Sequence, residues 1–391
     1  MTFDGTTGSA SSSGQVNGTV APGYDAVRAA FEDNLASGLE IGASFAVYRG
    51  GRAVVDLWGG QAVGGAGNIA EDTLYGIFSA TKGATAICIA MLVDRGKLDY
   101  EAPLSSYWPE FAAGGKAAIT VGEMMSHQAG LTGPHAPVTL QDFIDHDSVA
   151  ELLAAQTPCF RPGLFGYHAL TFGVLADELV RRVDGRALGH FFEEEVRSEL
   201  EIDVFLGLPL EQDHRYTTIV SAMDDSTMFY DCPNPSALQA MGNPPIIPEW
   251  PNDRIWREGG IPAGGGVASA RGLAALYDAL LSDNGPKLIS PSALKQATRE
   301  RVAGIDQCFG GVNRYAAGFS LNVGTMGSNP ASFGHAGFGG SMAFADPTRR
   351  LGVGYTTNQM LNPDWQAADP RLTSLLRALY KAEAVIGSSR V

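Results

Sequence analysis

Residues 71–100, EDTLYGIFSATKGATAICIAMLVDRGKLDY, decide how the rest of the chain is read. The stretch opens with turn-forming polar residues, reaches Ser79-Ala80-Thr81-Lys82, and runs on almost entirely apolar from Gly83 to Val93 before Asp94-Arg95-Gly96. Ala, Ile, Met and Leu in that run favour a helix, and Gly96 suits the position just past a helix C-terminus. A helix apolar on every side is predicted to lie inside the protein rather than on its surface. Ser79 then stands at the helix start, with Lys82 one turn on along the same side.

That spacing has a chemical use. A serine hydroxyl is a weak nucleophile until a neighbouring base takes its proton. A lysine three residues on can be that base if it is neutral, which requires its pKa to fall from about 10.4. Burial and the N-terminal end of a helix both push it down. A drop of ~3 units corresponds to roughly 4 kcal/mol, which only a buried site supplies. The motif itself recurs: Ser292-Ala293-Leu294-Lys295 is a second S-x-x-K. There Ser290-Pro291 reads as the cap and first-turn proline of a polar, amphipathic surface helix. Only the Ser79 copy leads into a buried helix. Spacing and context alone leave Ser79 either a nucleophile or a plain helix cap.

At 391 residues and 45% apolar, the chain is expected to form one large domain or two intimately packed lobes. A net charge of −15 argues against nucleic acid or an anionic membrane surface as partner. Cys88, Cys159, Cys232 and Cys308 show no C-x-x-C pair and no metal-like spacing. They read as reduced thiols, with two disulfides the alternative. Residues 1–21, rich in Ser, Gly, Thr and Asn, read as a disordered tail. With no Lys or Arg before Arg28 and no apolar core, this is not a secretory signal. The longest apolar run falls short of the ~18 residues of a membrane span. A soluble, cytoplasmic protein is the expectation.

Folded structure is predicted from about residue 22, with a helix over 24–35. Two β-rich runs at 43–48 and 53–58 flank Arg49-Gly50-Gly51-Arg52, a hairpin signal. Residues 120–125 form a short predicted helix ending in Ser126-His127-Gln128-Ala129-Gly130-Leu131. His127 beside Ser126 invites a catalytic reading, but a histidine satisfying a turn is the commoner one. In 161–185, RPGLFGYHALTFGVLADELVRRVDG, a helix over 170–183 is closed by Gly185. Tyr167, just before it, either anchors the helix start or faces Ser79 and Lys82 to relay a proton; His168 is its rival.

Between 202 and 266 prolines punctuate a stretch carrying Phe229, Tyr230, Trp250 and Trp256, which reads as a lid or pocket wall. A helix over 270–281 follows. Strands are predicted at 315–323, 331–335, 340–345 and 351–357, then a closing helix over 369–384. The fold class is therefore α+β, an antiparallel sheet built from both ends of the chain with a mainly helical lobe inserted. Residues 22–76 and 257–391 form the sheet region and 77–256 the helical one, with the site at their junction. Within the sheet, Phe333-Gly334-His335-Ala336-Gly337-Phe338-Gly339-Gly340-Ser341 is dense in glycine, marking close approach of a ligand or another backbone. Acyl transfer needs two backbone N–H groups aimed at the developing oxyanion, and such a strand supplies one; a bulged hairpin is the alternative.

Taken together, S-A-T-K, G-Y-H-A-L-T and H-A-G-F-G-G-S in this order resemble the serine β-lactamase and DD-peptidase superfamily, and within it the family VIII carboxylesterases. GKLDYEAPLSSYWPEF, ITVGEMMSHQAGL and GIPAGGGVASARGLAALYDALL agree in order, so the resemblance spans roughly residue 23 to the last helix. It implies Ser79 as nucleophile, Lys82 as general base and Tyr167 as proton shuttle. It also implies an oxyanion hole from the N–H groups of Ser79 and Phe338, with His335 and Gly337 lining the substrate. Two departures stand out: Ala169 where β-lactamases of this type have Asn in Tyr-x-Asn, and His335-Ala336-Gly337 where they have Lys-Thr-Gly. Both remove groups that hold a β-lactam. The reading is a carboxylesterase acting on a small-molecule ester without metal or cofactor. Its alternatives are hydrolysis of β-lactams or D-amino acid peptides, acyl transfer to an alcohol, and non-catalytic binding.

Overall fold

Nine strands from the two ends of the chain pair into one antiparallel sheet in a computed structural model that describes residues 15–64, 67–221, 234–283, 285–361 and 368–388. In chain order they are β1 (Val16–Val20), β2 (Gly42–Arg49), β3 (Arg52–Gly60), β4 (Val302–Ile305), β5 (Val312–Tyr315), β6 (Ser320–Leu321), β7 (Phe333–Ala336), β8 (Met342–Asp346) and β9 (Leu351–Thr357). Across the sheet the order is β1-β3-β2-β9-β8-β7-β6-β5-β4. The β2–β3 hairpin turns at Gly50-Gly51, and β2 then pairs with β9, with Val47 opposite Val353.

Alternation along the strands separates two faces. Phe45, Val47, Phe344 and Val353 point to one side, against α1 (Asp25–Ala36) and the closing helix, here α6 (Pro370–Ser388). Ala46, Ala343 and Ala345 point to the other, where small side chains let α5 (Ala270–Ala279) and the helical part of the chain lie close. Between β3 and β4 run α2 (Thr81–Asp94), α3 (Val121–Met125) and α4 (Thr171–Asp184). Helix α2 is buried over twelve consecutive residues from Thr81 to Leu92, as an all-round apolar sequence requires. Thr120 caps α3 in a reciprocal box with Glu123, and Gly185, at φ 88°, closes α4.

Three expectations are corrected. Val16–Val20, assigned to a disordered tail, pairs along β3 from Val16–Gly59 to Val20–Val55; an edge partner needs backbone groups more than apolar side chains. The strand predicted over 315–323 is broken, because Gly318 at φ 87° makes a turn there and donates to the Met125 carbonyl at 2.8 Å. The proline-rich stretch holds regular structure, including helices Pro235–Gly242 and Arg254–Gly259. Its tryptophans are core: Trp250 and Trp256 are buried and pack at 5.0 Å. Phe229, Tyr230 and Cys232 lie outside the described residues; Cys88 and Cys159 are free thiols, and Cys308 is buried. No helix among the described residues is long and apolar enough to cross a membrane.

Helix α2 is packed so closely that one methyl group matters. A Cβ added at Gly83 would overlap the hydroxyl of buried Tyr277 on α5. Alanine favours a helix over glycine by about 1 kcal/mol, but overpacking costs about 1–3. Gly83→Ala is therefore expected to lower stability by about 1 kcal/mol in urea unfolding; a higher midpoint would mean that Tyr277 moves aside freely.

Candidate active site

The segment before α2 is pinned from two sides. Tyr75–Gly76 pairs with Val267–Ala268, and Ile77 N donates to Gly266 O at 3.0 Å. One tight turn, Phe78–Ala80, then leads into the helix. Phe78 sits at φ 43°, a left-handed conformation that strains a bulky residue. Packing holds it there: its ring lies 5.4 Å from Phe338 and 6.0 Å from Trp256. The Thr81 hydroxyl donates to the Phe78 carbonyl and accepts from Gly266 N at 3.0 Å. The result is a serine presented at the mouth of a buried helix.

Lys82 is completely buried, and its Nζ stands 3.2 Å from Ser79 Oγ. Nζ donates to the Ala169 carbonyl at 2.7 Å and the Ala263 carbonyl at 2.8 Å. Loss of water pushes its pKa well below the ordinary lysine range. An uncharged amine has two N–H groups and one lone pair. With both N–H groups on carbonyls, the lone pair is left to face the Ser79 hydroxyl.

Tyr167 completes the group. Its hydroxyl lies toward Ser79, and its ring is 4.8 Å from Lys82 Nζ. Burial raises the phenol pKa above its usual range, and the neighbouring Ser79 hydroxyl pulls it partly back. Asp306 fixes the main chain here, its Oδ1 accepting from Tyr167 N at 3.3 Å, Cys308 N at 2.7 Å and Phe309 N at 3.1 Å. His127, in a turn at φ 65°, packs its ring 4.8 Å from that of Tyr167 and accepts from His168 N at 3.1 Å. The turn role read for His127 is the one it has, whereas Asp306 was not legible, because it acts through main-chain contacts that leave no motif.

His168, the rival to Tyr167, has no ring nitrogen to spare. Nδ1–H donates to Gly166 O at 2.8 Å and Nε2 accepts from Leu131 N at 3.0 Å. Burial lowers its pKa to about 4, so it stays neutral and structural. The second S-x-x-K is equally structural: Ser290 caps helix Pro291–Ala297, and Ser292 and Lys295 are exposed.

The glycine-rich strand lies alongside. A Cβ at Gly337 would overlap the Ile77 carbonyl, so only glycine lets the end of β7 touch the segment that carries Ser79. His335 is buried with Nδ1–H donating to Ala336 O at 2.7 Å, while Nε2 meets no protein partner among the described residues. Burial drops its pKa to about 3, so the ring is uncharged, 6.0 Å from that of Tyr167. Ser79, Lys82 and Tyr167 thus converge, with His335, Gly337 and Phe338 along one wall.

The beta-lactamase family model matches residues 27–377, and the chain belongs to that family. It is 35% identical over 339 residues to the Esterase/beta-lactamase LipL of Mycobacterium tuberculosis, spanning 82% of this chain and 78% of that one. A crystal structure of a family VIII carboxylesterase superposes with a TM-score of 0.87 at 40% identity, covering 94% of this chain and 100% of that one. EstA from Arthrobacter nitroguajacolicus Rue61a superposes at 0.86 with 33% identity, over 94% and 98% of the two chains.

The buried amine has a signature in stability. Its folded pKa lies below the unfolded one, so between the two the unfolded chain binds the extra proton. Lys82 therefore makes the protein less stable as pH falls from about 10, by up to about 1.4 kcal/mol per unit. Relative to wild type, Lys82→Met should gain stability between pH 10 and pH 7 in denaturant unfolding. A difference that stays constant over that range would show the folded amine to be charged.

Proposed function

We propose that this protein hydrolyses carboxylic esters through an acyl-enzyme on Ser79, with Lys82 as general base and Tyr167 as proton shuttle. The observation that carries this reading is the buried amine 3.2 Å from the serine hydroxyl with both N–H groups engaged elsewhere. Lys82 takes the Ser79 proton as Oγ attacks the ester carbonyl. The N–H groups of Ser79 and Phe338 hold the negative oxygen of the tetrahedral intermediate. Lys82 and Tyr167 then pass the proton to the departing alkoxide, which leaves as the alcohol. Water attacks the acyl group with the same pair as base, and Ser79 is released.

Esters are favoured over β-lactams by two side chains. Ala169 brings no amide to the site; its carbonyl serves Lys82. His335 is uncharged and offers no cation to a substrate carboxylate. The names of the relatives point the same way, with β-lactam cleavage the second reading because one of them, LipL, is named for both activities. Short-chain or bulky apolar esters are the proposed substrates, and the proposed reaction needs no metal or cofactor.

Ser79→Ala should abolish turnover of a nitrophenyl ester while leaving thermal unfolding near wild type, and a fluorophosphonate adduct should map to Ser79 by intact-protein mass. Residual turnover above a few per cent would discredit the assignment. A chromogenic cephalosporin measured in parallel should be cleaved weakly or not at all. With Lys82 as base, kcat/KM should rise from acid toward mildly alkaline pH as the amine loses its proton; a profile flat from pH 5 to 9 would exclude it.

A further inference from the structure

Arg371, the second residue of α6, is fully buried, and its guanidinium spends every N–H group. Nε donates to Asp369 Oδ1 at 3.0 Å, and Nη2 to Asp369 Oδ2 at 2.7 Å. Nη1 donates to Gln359 O at 2.7 Å and reaches Thr357 Oγ1 at 3.2 Å and Glu40 Oε2 at 3.4 Å. Glu40 in turn accepts from the hydroxyls of Thr357, at 2.9 Å, and Tyr355. One N–H remains, and Nη2 gives it to the Gly339 carbonyl at 3.1 Å.

A buried ion cluster is not the cheapest way to fill a core; apolar side chains of equal volume do so at no cost in dehydration. What the cluster adds is a connection. Gly339 lies in the turn from β7 to β8, closed by Gly337 N donating to Ser341 O at 2.6 Å and Gly340 N to Gly337 O at 3.2 Å. Three of its five residues, 337–341, are glycine, so the turn has little stiffness of its own. Phe338 carries the N–H assigned to the oxyanion. Such a donor is effective only if held within a few tenths of an ångström of where the charge develops. The other ends of the cluster are rigid: Thr357 closes β9, and Glu40 lies two residues before β2.

We propose that Arg371 is a positioning residue for the oxyanion turn, fixing the Gly339 carbonyl so that the Phe338 N–H stays aimed beside Ser79. The proposal rests on the acyl-enzyme reading above. Arginine is required because a lysine ammonium has no planar fork to span the Asp369 carboxylate, the Gln359 carbonyl and the Gly339 carbonyl at once.

The test compares wild type with Arg371→Lys and with Thr357→Val, which removes one anchor of the guanidinium while keeping the side-chain shape. Steady-state kinetics on a nitrophenyl ester, inhibition by an aryl boronic acid that mimics the tetrahedral adduct, and thermal unfolding are measured on each full-length chain. Arg371→Lys should lose about tenfold in kcat with KM nearly unchanged, weaken boronate binding by a similar factor, and keep the wild-type pH profile. Thr357→Val should shift kcat and boronate affinity in the same direction by a smaller factor. A folded Arg371→Lys with wild-type kcat and boronate affinity overturns the proposal. Should that variant not fold, unchanged kcat in Thr357→Val overturns it. Failure of wild type to form a fluorophosphonate adduct on Ser79 would instead sink the acyl-enzyme reading, and the clamp with it.

Discussion

The structure is organised around keeping one amine dry. Lys82 can face Ser79 without a proton only if water is excluded and its N–H groups are answered, and the carbonyls that answer them come from Ala169 and Ala263, far apart in the chain. Helix α2 must therefore be enclosed on all sides, which is why its sequence is apolar around its whole circumference. A second buried lysine sharpens the point. Lys116 Nζ donates to three carbonyls, those of Ala113, Ala154 and Gln156, matching the three N–H groups of an ammonium. Burial alone does not fix an amine's surroundings: Lys82 meets two carbonyls and one hydroxyl where Lys116 meets three carbonyls.

The same enclosure dictates the rest of the site. Phe78 is forced left-handed so that Ser79 can project from a helix otherwise sealed by its neighbours. The aromatic rings that hold Phe78 include Trp256, which comes from the stretch expected to form a lid or pocket wall. On the opposite wall, Gly337 lets a strand of the sheet touch the Ile77 main chain, joining the sheet to the helical part of the chain at the point where substrate would sit.

How much of this the residues disclosed depends on whether a feature is periodic or positional. The buried helix after Ser79, the Arg49–Arg52 hairpin and the helix ended by Gly185 follow from local pattern, and the structure has them within a residue or two. The convergence of Ser79, Lys82 and Tyr167 rested on three motifs in order rather than on any one of them. What stayed hidden is what acts through main-chain atoms or over long separations. Strand β1 carries only Val16 and Val20 as apolar residues and is held mainly by backbone pairing, and Gly318 breaks a strand through its conformation. Asp306 supports Tyr167 from 139 residues away, and nothing near it in sequence marks it.

The pairing of β2 with β9 separates adjacent strands by about three hundred residues of chain, Val47 lying opposite Val353. During synthesis the N-terminal hairpin therefore emerges from the ribosome long before its neighbour exists. One of its edges stays open to stray partners until β9 has been made. Closing the sheet waits for β9, and so does seating the Gly337 end of β7 against the Ile77 main chain.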